Sequence, residues 1–218
     1  MSKTETASSK AANEASESLA VAVEALKRGE VIVFPTETLY GLGADALNEA
    51  AVEQVFELKG RDLRIPIPVL VTDQEMLHTL VSEIPTTARK LMALYWPGPL
   101  TLILPGRKNI PKQICNPTGG IGVRISSQPI AALLIKRLGH PLTATSANPS
   151  GAEPARTLEE AKNYFAGRIR LFVDGGPLTS RSGSTVVEAT EDRIKIIRAG
   201  EINADELRQI LGEEKVVG

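Results

Sequence analysis

Lys59 and Arg61 stand on either side of a glycine, a spacing that lets both cations face one ligand if the backbone leaves a helix there. A polyphosphate suits such a pair. At a helix end the same residues would also complement the carboxyl-terminal dipole, an effect of about 0.3–1 kcal/mol. Arg124 lies inside the apolar run Ile121-Gly-Val-Arg-Ile125, where an unpaired cation is costly, so an anionic partner is expected. That partner is either a structural Asp or Glu, or a substrate carboxylate held by the planar fork of the guanidinium. Polar and glycine-containing segments recur where strands are expected to end: Pro35-Thr-Glu-Thr38, Gly119-Gly120, Ser146-Ala-Asn148 and Ser182-Gly-Ser-Thr185. Ligand sites of α/β sheets gather at such strand ends, although each segment alone also reads as an ordinary turn.

Other chemistries find little support. The two usual glycine-rich nucleotide loops, G-x-x-x-x-G-K-[ST] and G-x-G-x-x-G, do not occur. His78 falls in an expected surface helix and His140 in a Gly-His-Pro turn, so no serine-hydrolase triad is assembled. Cys115 is the only cysteine, which rules out an intrachain disulfide and a cysteine-rich zinc site, and no protein-held metal is expected.

The 218 residues are 42% hydrophobic and 23% charged with net charge -1, the balance of an ordinary globular chain without the strong positive field of a dedicated nucleic-acid binder. Any anion site must therefore be local. No apolar run approaches membrane-spanning length, and residues 1–17 are rich in Ser, Ala, Glu and Lys without a secretory pattern, so a cytoplasmic address and a flexible amino-terminal segment are expected.

Positioning falls to an alternation of helices and strands. Leu19, Val23 and Leu26 mark a helix stopped by Gly29, and Val31–Phe34 follows as a strand. Val52, Val55 and Phe56 mark the helix that delivers Lys59 and Arg61, and Ile67–Val71 reads as strand. A helix from Thr86 must stop near Trp96, because Pro97-Gly-Pro99 cannot continue it. Strands are expected at Leu100–Leu104, Ile121–Ile125, Leu142–Thr145 and Leu171–Asp174, with a helix at Gln128–Leu138 and another opened by the capping pair Thr157 and Glu160. Ser184–Ala189 and Arg193–Arg198 read as a hairpin, Asn203 opens a last helix, and 213–218 is expected to fray. The expected fold is α/β, a mixed sheet flanked by helices in one domain from residue 18 to 218.

Taken in order, Phe34-Pro-Thr-Glu-Thr-Leu-Tyr-Gly-Leu-Gly43, Lys59-Gly-Arg61, Trp96-Pro-Gly-Pro-Leu-Thr101, Val123-Arg-Ile125, Ser146-Ala-Asn-Pro-Ser-Gly151, Ser184-Thr-Val-Val187 and Arg198-Ala-Gly200 resemble the YrdC-type family, the threonylcarbamoyl-adenylate synthases. The K-x-R pair followed far downstream by S-x-N is the most specific part. The resemblance implies a twisted mixed sheet with a concave basic substrate cleft, and the short form without an additional carboxyl-terminal domain. It implies Lys59 and Arg61 as the catalytic pair on the ATP phosphates, at the cleft rather than in the core. Ser146, Asn148 and Arg198 would line the nucleotide side, and Thr36, Arg124 and Ser184 would hold threonine. The chain departs from the family pattern at Asp62, where many members carry proline, and at 153–157, so no serine contact to ATP is carried over there.

The implied reaction joins the amine of L-threonine to bicarbonate. The carbamate then attacks the α-phosphate of ATP and expels pyrophosphate, with Mg²⁺ held mainly by phosphates and water. Its product would pass to downstream proteins that modify tRNA. Such chemistry needs positioning and charge stabilisation more than a protein nucleophile. Glu37, next to Thr36, is the nearest candidate for a base. An alternative is an RNA-binding relative active in ribosome or tRNA maturation without synthase activity, set against an aromatic content of only 4%. A carbamoyl-transfer module is a third reading.

Overall fold

The computed structural model of the chain describes residues 16–180 and 182–218. The expected flexible segment lies outside them apart from Ser16 and Glu17, which belong to the first helix, α1, at residues 16–27. The expected single mixed sheet is two sheets. In the smaller, β1 (Ile32–Pro35) pairs antiparallel with β2 (Tyr40–Gly43) and parallel with β8 (Leu171–Phe172), while β7 (Thr145–Ser146) closes the other edge on β2. The larger has seven strands in the order β11, β10, β9, β4, β5, β3, β6. These are Val216–Val217, Ile194–Arg198, Thr185–Ala189, Leu100–Pro105, Gly120–Arg124, Val69–Leu70 and Leu142–Thr143. It is mixed: β4 runs parallel to β9 and antiparallel to β5, and β3 runs parallel to β5.

Alternation along the strands assigns each face. Ile32 and Phe34 pack with Leu19, Val23 and Leu26 of α1 and with Ala131, Leu134 and Leu138 of α5 (Pro129–Leu138), whereas Val33 joins the larger core cluster on the other face. Leu100, Leu102 and Leu104 of β4 and Ile121 and Val123 of β5 enter that core. The intervening Thr101, Ile103, Gly120, Gly122 and Arg124 are thereby turned to the opposite face, because successive side chains of a strand point to opposite sides.

The expected strand at Leu142–Thr145 is split between the two sheets. One residue, Ala144, carries the chain from β6 to β7, and its N–H donates to the Pro68 carbonyl at 2.9 Å. Thr143 ties the junction by donating from Oγ1 to Leu42 O at 3.1 Å and accepting from Ala44 N at 2.8 Å. The end expected to fray is ordered instead. Residues Glu213–Lys215 form a single 3₁₀ turn, and β11 adds to β10 in parallel.

Helix α2 (Glu49–Lys59) begins at Asn48, whose side chain accepts from Ala51 N, and ends at Gly60 with φ 58°. That left-handed conformation suits glycine and turns the chain sharply, so the segment carrying Arg61 leaves the helix axis. The capping box of Thr157 and Glu160 opens α6 (Leu158–Phe165) as expected. The remaining helices are α3 (Gln74–Leu80), α4 (Thr86–Tyr95) and α7 (Ala204–Leu211).

Candidate functional site

Three strand ends and the end of α2 meet at the junction of the two sheets. The β1–β2 turn is held by Thr36, whose Oγ1 donates to Leu39 O at 2.7 Å and accepts from Thr38 N at 3.2 Å and Leu39 N at 3.1 Å. It presents Glu37 and Thr38 to the end of β5. There Arg124, 5% exposed, donates from Nη1 to Glu37 Oε1 at 2.7 Å and to Thr38 Oγ1 at 3.3 Å. The other oxygen of Glu37 accepts from Ser126 Oγ. The protein anion paired with Arg124 is therefore Glu37, and yet Arg124 also lines a cavity.

On the far side, β10 carries a bulge between Ile196 and Arg198, so that Arg198 comes opposite Val186. An unbroken ladder would have placed Ile197 there and turned Arg198 to the other face. The extra residue re-aims the side chain, a common use of bulges near functional sites. Arg198 donates from Nη2 to Ser184 O at 2.7 Å and Ser184 Oγ at 3.1 Å, and Ser184 Oγ also meets Thr101 Oγ1 at 2.8 Å. Gly200 permits this approach: a Cβ there would lie 2.4 Å from Gly183 O and Thr185 N.

These groups enclose a cavity of about 80 Å³ whose wall includes Thr36, Arg61, Arg124, Ser146, Ser184 and Arg198. A second cavity of about 330 Å³ shares Arg61, Pro68 and Arg198 with the first and continues over Thr101, Ile103, Val186 and Ile197. Among the described residues, no Asp or Glu lines either cavity. Burial lowers the Arg198 pKa, and repulsion from Arg124 and Arg61 lowers it further, so three cations share one field with Glu37 as the neighbouring anion. Arg61 itself donates to Ile65 O at 3.0 Å and Pro66 O at 3.2 Å. Six of the eight residues expected at the site are thus brought together. Among the described residues, no group of three or more His, Cys, Asp or Glu side chains is gathered in metal-binding array.

Lys59 and Asn148 depart from expectation. Lys59 is 3% exposed and lines neither cavity, and its Nζ donates to Ser146 O at 2.6 Å and Asn148 O at 2.8 Å. Asn148 donates from Nδ2 to Pro149 O at 2.9 Å and Ala152 O at 2.8 Å. A flexible cation with three donors satisfies several buried carbonyls at once, which draws it inward. Desolvation, followed by repulsion from Arg61, lowers the Lys59 pKa from 10.5 to about 8. Between those values the unfolded chain holds a proton that the folded chain has released, so stability rises with pH across the window. The penalty is full below pH 8 and relieved toward pH 10.5. The melting temperature of the wild type relative to Lys59→Met is therefore expected to rise between pH 8 and 10.5, by an equivalent of at most about 3 kcal/mol. A pH-independent difference in paired melting curves would contradict this.

Sequence reasoning missed Pro68, Ile103, Val186 and Ile197 in the cavity walls. The strand alternation of Leu100–Leu104 offered a signal for Ile103, but the others depend on which strands become neighbours.

The architecture defines an α/β protein with an arginine-lined cavity at the junction of two sheets. The Sua5/YciO/YrdC family model, described as telomere recombination, matches residues 24–200, and the chain belongs to this family. The chain is 36% identical over 196 residues to the threonylcarbamoyl-AMP synthase of Pyrococcus abyssi, covering 90% of this chain and 58% of that protein. It is 37% identical over 174 residues to the threonylcarbamoyl-AMP synthase of Thiobacillus denitrificans, covering 80% and 91%. The crystal structure of Pyrococcus abyssi Sua5 complexed with L-threonine superposes with TM-score 0.86 at 36% identity, over 91% of this chain and 58% of that one. This chain therefore spans little more than half of the archaeal relative.

Proposed function

We propose that the chain is a threonylcarbamoyl-AMP synthase, converting L-threonine, bicarbonate and ATP to threonylcarbamoyl-AMP and pyrophosphate. The observation that carries the reading is the convergence of Arg61, Arg124 and Arg198 with Thr36 and Ser184 on a small polar cavity that shares a wall with a larger apolar one. The small cavity suits an amino acid whose carboxylate meets Arg124, and the larger suits a nucleoside. Arg61 and Arg198, shared by both, stand where the carbamate and the triphosphate must meet. Two relatives named as this synthase, one of them matched over 91% of its length, support the same reading over an RNA-binding role.

ATP is the substrate, and Mg²⁺ arrives with it, held by phosphate oxygens and water, since among the described residues no carboxylate lines the cavities. Preorganised cations aimed at developing charge account for the catalysis without a protein nucleophile. One catalytic domain from residue 18 onward, a cytoplasmic address and hand-off of the product to tRNA-modifying proteins complete the proposal. Among the described residues no helix is long and apolar enough to cross a membrane.

The test is pyrophosphate release by the purified chain. Release should require threonine and bicarbonate together and should not require tRNA. Undiminished release without threonine would sink the synthase reading, and salt-sensitive RNA affinity without ATP turnover would favour the alternative.

A further inference from the structure

Lys59 lines neither cavity, and its hydrogen bonds are made within the protein. Its Nζ donates to Ser146 O at 2.6 Å, Asn148 O at 2.8 Å and Asn148 Oδ1 at 3.4 Å. An ammonium carries three N–H donors, so three acceptors leave none for a phosphate oxygen. The backbone repeats the tie in the opposite sense, since Ser150 N donates to Lys59 O at 2.8 Å. Through Asn148 Nδ2 the bonding extends to Pro149 O and Ala152 O. One amine thus binds residues 146–152 to the last turn of α2.

Both ends of this tie reach the cavity wall. Ser146 lines the small cavity directly, and Arg61, two residues beyond Lys59, lines both. Drawing Nζ outward to a ligand would strip the Ser146 and Asn148 carbonyls of a charged donor, and losing a hydrogen bond to a charged group is more costly than losing a neutral one. The two walls would separate at the moment the nucleotide needed them fixed.

We infer that Lys59 is a positioning residue that locks the 146–152 loop and Arg61 together before ATP binds, and that it does not touch the triphosphate. The ATP part of this inference rests on the synthase reading, whereas the tie itself does not. Lysine suits the task because its compact head can be surrounded by several carbonyls, a geometry that the planar fork of arginine does not reproduce.

Hydrogen exchange of the ligand-free protein, read by mass spectrometry, separates this role from a direct phosphate contact. In Lys59→Met, amides of 146–152 should exchange at least about tenfold faster than in wild type, while the core strands β4 and β5 stay protected. The KM for ATP should rise by about tenfold in parallel. Lys59→Arg, which keeps the charge, should rescue neither readout. If Lys59→Met does not fold, Lys59→Gln, which keeps an amide donor on a shorter side chain, carries the same measurements.

Three outcomes overturn the inference. Unchanged exchange at 146–152 with a raised KM for ATP would make Lys59 a direct contact. Recovery of the KM for ATP by Lys59→Arg while the loop still exchanges fast would mean that the charge, and not the tie, is what ATP requires. Faster exchange with an unaltered KM would reduce the tie to a structural one. Wild-type protein that releases no pyrophosphate would defeat the synthase reading, and the exchange measurement, needing no nucleotide, would still decide whether the tie exists.

Discussion

Arg124→Lys is expected to lower the melting temperature and raise the threonine KM together, leaving the ATP KM much less changed. Sequence alone posed the partner of Arg124 as either a structural carboxylate or a substrate, and the structure pairs the side chain with Glu37 while leaving it on a cavity wall. One amino group is engaged by Glu37 at 2.7 Å and by Thr38, while the residue also forms part of the small cavity wall. A guanidinium spreads five donors over a planar fork, so one edge can serve Glu37 and another a threonine carboxylate. A lysine ammonium is a single point and must choose.

The pair is nearly buried, with side-chain exposures of 6% and 14%, and breaking such a pair outright typically costs about 3–5 kcal/mol. Lysine retains part of the attraction, so a loss of about 1–3 kcal/mol is expected, near 2–4 °C per kcal/mol for a chain of this size. Loss of a charge-assisted contact to the carboxylate adds about 1.5–3 kcal/mol, or roughly a 10- to 150-fold rise in threonine KM. Calorimetry and steady-state kinetics on one preparation check both. A lowered melting temperature with an unchanged threonine KM would remove Arg124 from the substrate site and leave it a structural cation.

Arg198→Met should do the reverse to stability while damaging activity at least as much. Arg198 faces Ser184 rather than a carboxylate, and both Arg124 and Arg61 repel it. Removing it relieves that repulsion, at the expense of its hydrogen bonds to Ser184, whose hydroxyl keeps Thr101 as partner. The expected melting temperature is equal to wild type or higher by a few degrees. Pre-organised positive charge at a ligand site is held against its own repulsion, so function and stability pull apart at this position. Activity should fall by about 100-fold or more in kcat/KM for ATP, in line with loss of at least one charged contact to the transferring phosphate. Pyrophosphate should also protect the variant against unfolding less than it protects wild type. A variant destabilised by several degrees with intact kcat/KM would show that Arg198 supports the fold and not the reaction.

Several elements were legible before any coordinates. The glycine stop after α1 and the capping box of α6 follow from interactions within four residues, which is why the sequence marks them. The alternating apolar positions of Leu100–Leu104 and Ile121–Ile125 likewise define core faces from a period of two. The ordered motifs carried the family and six of the residues that meet at the cavity.

What tertiary structure alone decided lies at longer range. Glu37 and Arg124 are 87 positions apart, and nothing local pairs them. A two-residue strand formed at the end of the chain where fraying was expected, because β10 offered an open edge to Val216 and Val217. Lys59 turned inward because the carbonyls of Ser146 and Asn148 come within reach only once β7 has crossed to the smaller sheet. Arg198 entered the cavity through a bulge, a single extra residue that reverses which face a side chain occupies and leaves no mark in a pattern of alternating residues. By itself, then, the sequence determined the elements, their caps and the kind of cations available. Which cations face the cavities and which are spent inside the protein was decided by pairings between distant strands, since only those pairings bring the competing carbonyls and carboxylates into place.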